Sequence, residues 1–180
     1  MSSNHPLRFD PIAEATRQWT IHWTEPAVMA AATSIMRAQQ IVLAAVDDAL
    51  KPHGLTFARW EALVLLSFTR TGSLPLGKMG QRLMIHPTSV TNIIDRLETD
   101  GLVVRSPHPE DRRTTLASIT PPGRRLVRRA TKAVEQAKFG LGSLAADQLG
   151  QLTSILGVLR EAEGDYEDSS EPTIDTKDTH

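Results

Sequence analysis

The stretch HPTSVTNIIDRLETDGLVVRSPHPEDRRTTLASITPPGRRL, residues 86–126, changes its period half-way, and that change decides the fold. Its first part carries Val90, Ile93, Ile94 and Leu97 at i, i+3, i+4 and i+7, the spacing of one apolar face of an α-helix. His86-Pro87 opens this helix over 87–99 and Gly101 stops it, since proline suits a first turn and glycine a C-terminal cap. Leu102-Val103-Val104-Arg105-Ser106 and Thr115-Leu116-Ala117-Ser118-Ile119-Thr120 then read as two strands. Between them, Pro107-His108-Pro109-Glu110-Asp111-Arg112-Arg113 is a turn-rich, charged tip. Thr120-Pro121-Pro122 caps a further helix that runs to about residue 139.

Working upstream, Thr71-Gly72-Ser73 reads as a turn and 76–83 as a short helix with Met79 and Leu83 inward. Short helix, break, longer helix and hairpin is the order of a winged helix-turn-helix, so the fold class is mainly α with a small β-hairpin wing. A helix of this kind fits the major groove of B-DNA and presents its N-terminal side chains to base edges. With Val90, Ile93, Ile94 and Leu97 inward, the other face shows Thr88, Ser89, Thr91, Asn92, Asp95 and Arg96. Unpaired N–H groups near His86-Pro87-Thr88 would favour a phosphate. Arg112 and Arg113 project from the tip, where a narrow minor groove attracts arginine.

Further out, Asp10-Pro11 opens a first helix carrying Trp19, His22 and Trp23, and Thr24-Glu25-Pro26 restarts the chain. A long helix follows to about Lys51 with Val28, Ala32, Ile35, Gln39, Val42, Val46 and Ala49 in a stripe, a pattern that packs against another helix. Thr56 reads as the cap of the next helix, 57–69. Ser143 reads as the cap of the last, whose apolar stripe is Leu149, Leu152, Ile155, Leu156 and Leu159. The expected organisation is a disordered start over 1–9, N-terminal helices over 10–54, a DNA-binding lobe over 55–122, C-terminal helices over 123–160 and an acidic, disordered tail over 161–180.

Composition bounds the function classes. There is no cysteine, which removes thiol catalysis, thiol redox sensing and cysteine-ligated metal. The net charge of −1 hides a split: residues 161–180 hold eight acidic side chains and one lysine, and residues 78–129 hold ten Lys or Arg against five Asp or Glu. A basic middle suggests a polyanion partner. The six histidines show no zinc-ligand spacing, so no metal or cofactor is expected. Nothing resembles a Gly-rich phosphate loop or a nucleophile motif, so no enzyme is expected. There is no unbroken run of about 18 apolar residues and no secretory leader pattern, so no membrane span is expected and the cytoplasm is the expected location.

Residues 86–126 resemble the MarR/SlyA family of dimeric transcriptional regulators, with Asp111-Arg112-Arg113 followed by Leu116, Ile119 and Thr120 similar to the family's wing signature. Leu55-Thr56-Phe57-Ala58-Arg59-Trp60 is similar too, and the likeness spans about 26–160. It implies that the helix over 87–99 is a recognition helix contacting DNA through Pro87, Thr88, Ser89, Thr91, Asn92 and Arg96. It implies that Arg113 enters the minor groove, with Arg112 as a second candidate and Asp111 as the wing brace. It also implies a homodimer formed by the first and last helices on a pseudo-palindrome of double-stranded DNA. In many members an anionic aromatic effector binds a cleft between the dimerisation helices and the DNA-binding lobe. The extra first helix is similar to that of urate-responsive relatives, so Trp19, His22, Trp23, Arg37, Arg59 and Trp60 are candidate ligand residues for a small aromatic or phenolic effector. The urate pattern itself is broken: Glu61 stands where that subgroup has aspartate, and Ile93 where it has arginine. The competing reading is a winged-helix protein-interaction module without ligand sensing, whose basic wing meets an acidic protein.

Overall fold

The computed structural model describes residues 7–111 and 113–166. They divide into one compact unit reaching to Leu141 and a second from Gly142 onward. In the first unit, α1 (Pro11–His22) starts where the Asp10 carboxylate accepts the Ile12 N–H at 2.9 Å. Glu25 takes a left-handed conformation and Pro26 begins α2 (Pro26–Leu50). A 3-10 turn, Lys51–His53, ends at Gly54 with φ +67°, and α3 (Phe57–Phe68) follows. Thr56 occupies the cap position without a side-chain bond; instead Asp47, ten residues back on α2, accepts the Phe57 N–H at 2.8 Å. A distant carboxylate therefore replaces the local hydroxyl expected there.

The expected hairpin is part of a three-stranded antiparallel sheet in the order β1-β3-β2. β2 (Val103–Pro107) and β3 (Thr115–Ile119) pair with Arg105 opposite Ala117. The additional strand, β1 (Ser73–Pro75), begins inside the stretch read as a turn and places Ser73 opposite Ser118, with their hydroxyls 2.6 Å apart. α4 (Leu76–Leu83) and α5 (Pro87–Thr99) lie between β1 and β2 in the chain, and α6 (Pro121–Gln136) follows β3. Thr120 caps α6 by accepting the Gly123 N–H, while its own hydroxyl donates to the Gly101 carbonyl. The core draws on every helix from α2 to α6: Val46, Leu50, Leu63, Leu66, Met79, Val90, Ile94, Leu97, Val103 and Val134 are fully buried.

In the second unit, α7 (Ala146–Ala162) is capped at Ala145, whose N–H donates to the Gln148 side chain at 2.9 Å, and not at Ser143. It contains no buried residue, and Ile155, Val158 and Leu159 are exposed. In the first unit Val28, Ile35, Met36 and Ile41 on α2 are exposed as well. The sequence has no unbroken apolar run of about 18 residues, yet by length and composition alone 26–53 could cross a membrane. Its C-terminal end nonetheless supplies Val46 and Leu50 to the core of the first unit.

Candidate nucleic-acid interface

Two tight approaches bring α4 and α5 together. Met84 closes α4 in a left-handed conformation, φ 54°, and the Ile85 N–H returns to the Gly80 carbonyl at 3.1 Å. Gly80 lies so near α5 that a Cβ there would stand 3.3 Å from Val90 Cγ2 and from the Ile85 carbonyl. Val90, Ile94 and Leu97 then sink into the core and orient the helix. Thr88, Ser89, Thr91, Asn92, Asp95 and Arg96 are all exposed, as the periodicity requires, and so is Pro87.

The N-terminus of α5 corrects one expectation. Its first N–H groups are occupied: Thr88 donates to His86 Nδ1 at 3.3 Å, and Ser89 and Val90 donate to the His86 carbonyl at 2.9 and 3.2 Å. His86 folds its ring back as the cap, so a phosphate would not find open amides here. The Thr91 hydroxyl donates to the Pro87 carbonyl at 3.2 Å and presents its lone pairs outward.

The wing tip is held by one carboxylate. Asp111 Oδ1 accepts the Arg113 N–H at 3.0 Å and Oδ2 accepts the Thr114 hydroxyl at 2.7 Å. The Thr114 hydroxyl, then the Arg113 N–H, lower the Asp111 pKa below the ordinary aspartate value. The His108 N–H closes the turn on the Thr114 carbonyl at 2.9 Å. Arg113 is exposed beside it. Arg112 lies outside the described residues.

The candidate ligand residues fall in separate places. Trp19 and Trp23 meet at a tilt with ring centroids 4.8 Å apart, His22 lies against Trp23 at 5.6 Å, and Trp19 Nε1 donates to the Thr24 carbonyl. Arg37, exposed on α2, donates to Gln40. Arg59 is committed to structure: it donates to the Gly54 carbonyl and pairs with Asp100 at the end of α5. Trp60 is 7% exposed, meets the tilted rings of Phe57 and Phe139, and donates to the Thr131 hydroxyl at 3.0 Å.

Thr131 opens onto a groove of about 440 Å³ between α3 and α6. Val64, Phe68 and Val127 supply its apolar walls, and Arg124, Arg128, Lys132 and Glu135 line it from α6. These three cations were not among the sequence candidates. Their i, i+4, i+8 spacing puts them on one helix face and was the available signal; the opposing wall on α3 was not visible from that spacing.

Comparison with known proteins places this arrangement. The sequence pattern of the MarR family matches residues 55–115. The HTH-type transcriptional regulator YhbI of Bacillus subtilis is 35% identical over 124 residues, which are 67% of this chain and 78% of that protein. A MarR family transcriptional regulator of Streptomyces coelicolor, known as a crystal structure, is 53% identical over 79% of this chain and 99% of its own, with a TM-score of 0.73. CouR of Rhodococcus jostii, solved bound to p-coumaroyl-CoA, is 29% identical over 71% of this chain and 87% of its own, with a TM-score of 0.61. An outward polar face on α5, a braced basic wing and these likenesses agree: the chain belongs to the MarR family of winged-helix transcriptional regulators.

Proposed function

We propose that the protein is a homodimeric, sequence-specific repressor that works in the cytoplasm and is released from a pseudo-palindromic operator by a small aromatic or phenolic anion. The observation that carries this reading is the exposed row Thr88, Ser89, Thr91, Asn92 and Arg96 on α5, next to a wing tip bearing Arg113. Hydroxyls and an amide at a helix start suit base edges, and an arginine on a hairpin suits a narrow minor groove. Pro87 would contact the backbone, Arg112 would assist Arg113, and Asp111 would hold the tip in place.

Dimerisation through residues 10–54 and 123–160 is supported by the exposed Ile35, Met36 and Ile41 on α2 and Ile155, Val158 and Leu159 on α7. Residues 55–122 would then read the DNA. The effector reading is supported by the groove between α3 and α6, where three cations and an apolar wall suit an aromatic anion, and by the aryl-CoA held by CouR. The Trp19–Trp23 cluster offers a second aromatic surface.

The test is footprinting on fragments selected by the purified protein from its genome. Two protected half-sites about 34–36 Å apart, bound by a dimer, are expected. Protection of one half-site by a monomer, or no preference among duplexes at moderate salt, would overturn the reading.

A further inference from the structure

The two elements that would meet DNA, α5 and the wing, are joined by one side chain. Arg105, in the middle of β2, is three-quarters buried. Its Nη1 pairs with Asp95 Oδ1 at 2.5 Å and with Glu98 Oε2 at 3.1 Å. Its Nη2 donates to the Thr91 carbonyl at 3.2 Å, and its backbone N–H donates to Glu98 Oε1 at 3.0 Å. Thr91, Asp95 and Glu98 stand at i, i+4 and i+7, so a single guanidinium grips two turns of the recognition helix. Opposite Arg105 in the sheet is Ala117, which is fully buried and adds no competing charge.

This arrangement does two things. It fixes the angle between helix and wing, because a planar fork makes directional bonds that a lysine cannot reproduce. It also draws two carboxylates of α5 toward the wing and offsets part of their charge there, beside a face that must approach phosphates. The guanidinium is outnumbered by its two carboxylates, which leaves it little attraction for DNA.

We infer that Arg105 is a positioning residue: it locks the recognition helix and the wing into one rigid body, and operator affinity depends on that lock although Arg105 touches no DNA. The inference rests on the DNA-binding reading above. Orienting two elements separately on binding costs entropy that a rigid unit has already lost.

The experiment compares wild type, Arg105→Gln, Arg105→Lys and the double variant Asp95→Asn/Glu98→Gln on a duplex that the wild type recovers from a randomised pool. Both single variants should lose about five- to tenfold in affinity, the size of ordering one or two side chains. The slope of log K against log salt should stay put, whereas loss of a phosphate contact would flatten it by about 0.9. The double variant gives the sharpest sign. It raises the charge near DNA by two, so electrostatics alone predicts tighter binding, but it breaks the lock and should bind more weakly at about 0.5 M salt, where long-range attraction is screened. Tighter binding there, or a flattened slope in Arg105→Gln, would make Arg105 a phosphate contact and overturn the inference. Amide exchange of the free protein provides a readout without DNA: His108 and Thr114 should exchange faster in Arg105→Gln at unchanged global stability. Unchanged exchange also overturns it. A wild type that binds no duplex would instead sink the parent reading and leave the exchange result to judge the lock.

Discussion

Gly123→Ala should destabilise the protein, although helix propensity predicts the opposite. Gly123 is the third residue of α6, and replacing a helical glycine by alanine ordinarily gains about 0.5–1 kcal/mol. Here the new Cβ would stand 2.2 Å from the Leu102 carbonyl oxygen and 2.9 Å from Ile119 Cγ1. Even a favourable C–H···O approach needs about 3.3–3.6 Å, so the start of α6 and the entry to β2 must part by about 1 Å. They resist, because the Leu102 carbonyl also accepts the Thr120 N–H at 3.0 Å. Overpacking of this kind costs about 1–3 kcal/mol. Less the propensity gain, the net cost is up to about 2.5 kcal/mol, and at about 2–4 °C per kcal/mol for a chain of this length the melting temperature should fall by up to about 10 °C. Two other glycines calibrate the result. Gly77→Ala has nothing within 4 Å of its Cβ and should be neutral or stabilising; Gly80→Ala, with contacts at 3.3 Å, should fall between. Thermal unfolding followed by circular dichroism, at one chain concentration because association shifts apparent stability, gives the ranking. A Gly123→Ala melting temperature at or above that of Gly77→Ala would refute the reasoning.

Leu97→Ala removes a fully buried side chain that seats α5 and should cost about 2–5 kcal/mol in urea unfolding, with operator affinity falling in step. The Asp111 carboxyl has a lowered pKa, led by the Thr114 hydroxyl. Its folded value lies below its unfolded one, so its support for the wing turn is complete above about pH 4 and is lost as pH falls through the folded value. Amide exchange at Thr114, corrected for intrinsic rates, should therefore show no Asp111 step between about pH 5 and 8, and Asp111→Asn should speed it at neutral pH. Glu61 behaves in the opposite sense, since partial burial raises its pKa. Its favourable contribution is present below the unfolded pKa of about 4.3 and disappears as pH rises through the folded value, so Glu61→Gln should raise the melting temperature at pH 7 and leave it unchanged at about pH 3.5.

Elements whose signal is local were legible in the sequence. The i, i+3, i+4, i+7 row of α5 needs no partner to be recognised, and Gly101 and Thr120 act within a few residues of themselves. What was not legible is set by distant partners. β1 has three residues and exists as a strand because β3, more than forty positions later, pairs with it. Thr56 looked like a cap, but Asp47 reaches the same N–H from another helix. Arg59 looked like a free cation near an aromatic; in the fold Asp100, 41 positions away, takes it. The groove cations Arg124, Arg128 and Lys132 were visible as a spacing, but the apolar wall that makes them a groove comes from α3. His86 was the subtler case: the proline after it announced a helix start, yet nothing local told that its ring would occupy the Thr88 amide that a phosphate would otherwise use.

α2 reconciles hydropathy with function only if something covers it. By length and composition it passes for a membrane span, yet Arg37 stands near its middle and Ser34, Gln39 and Gln40 lie beside it. An arginine at a bilayer centre costs about 2.5–3.5 kcal/mol. The same residue costs little at the rim of a helix pair, where its charge stays in water and its stem lies on apolar surface. Alanines at 27, 30–32, 38, 44 and 45 keep much of the helix surface low, which lets a second helix approach closely. Exposed Val28, Ile35, Met36 and Ile41 would then form the interface of the proposed dimer. Met36→Glu should weaken self-association in sedimentation while leaving the lobe folded, since that side chain is 64% exposed in the single chain. If the wild-type protein sediments as a monomer at micromolar concentration, this account of the hydropathy of α2 fails.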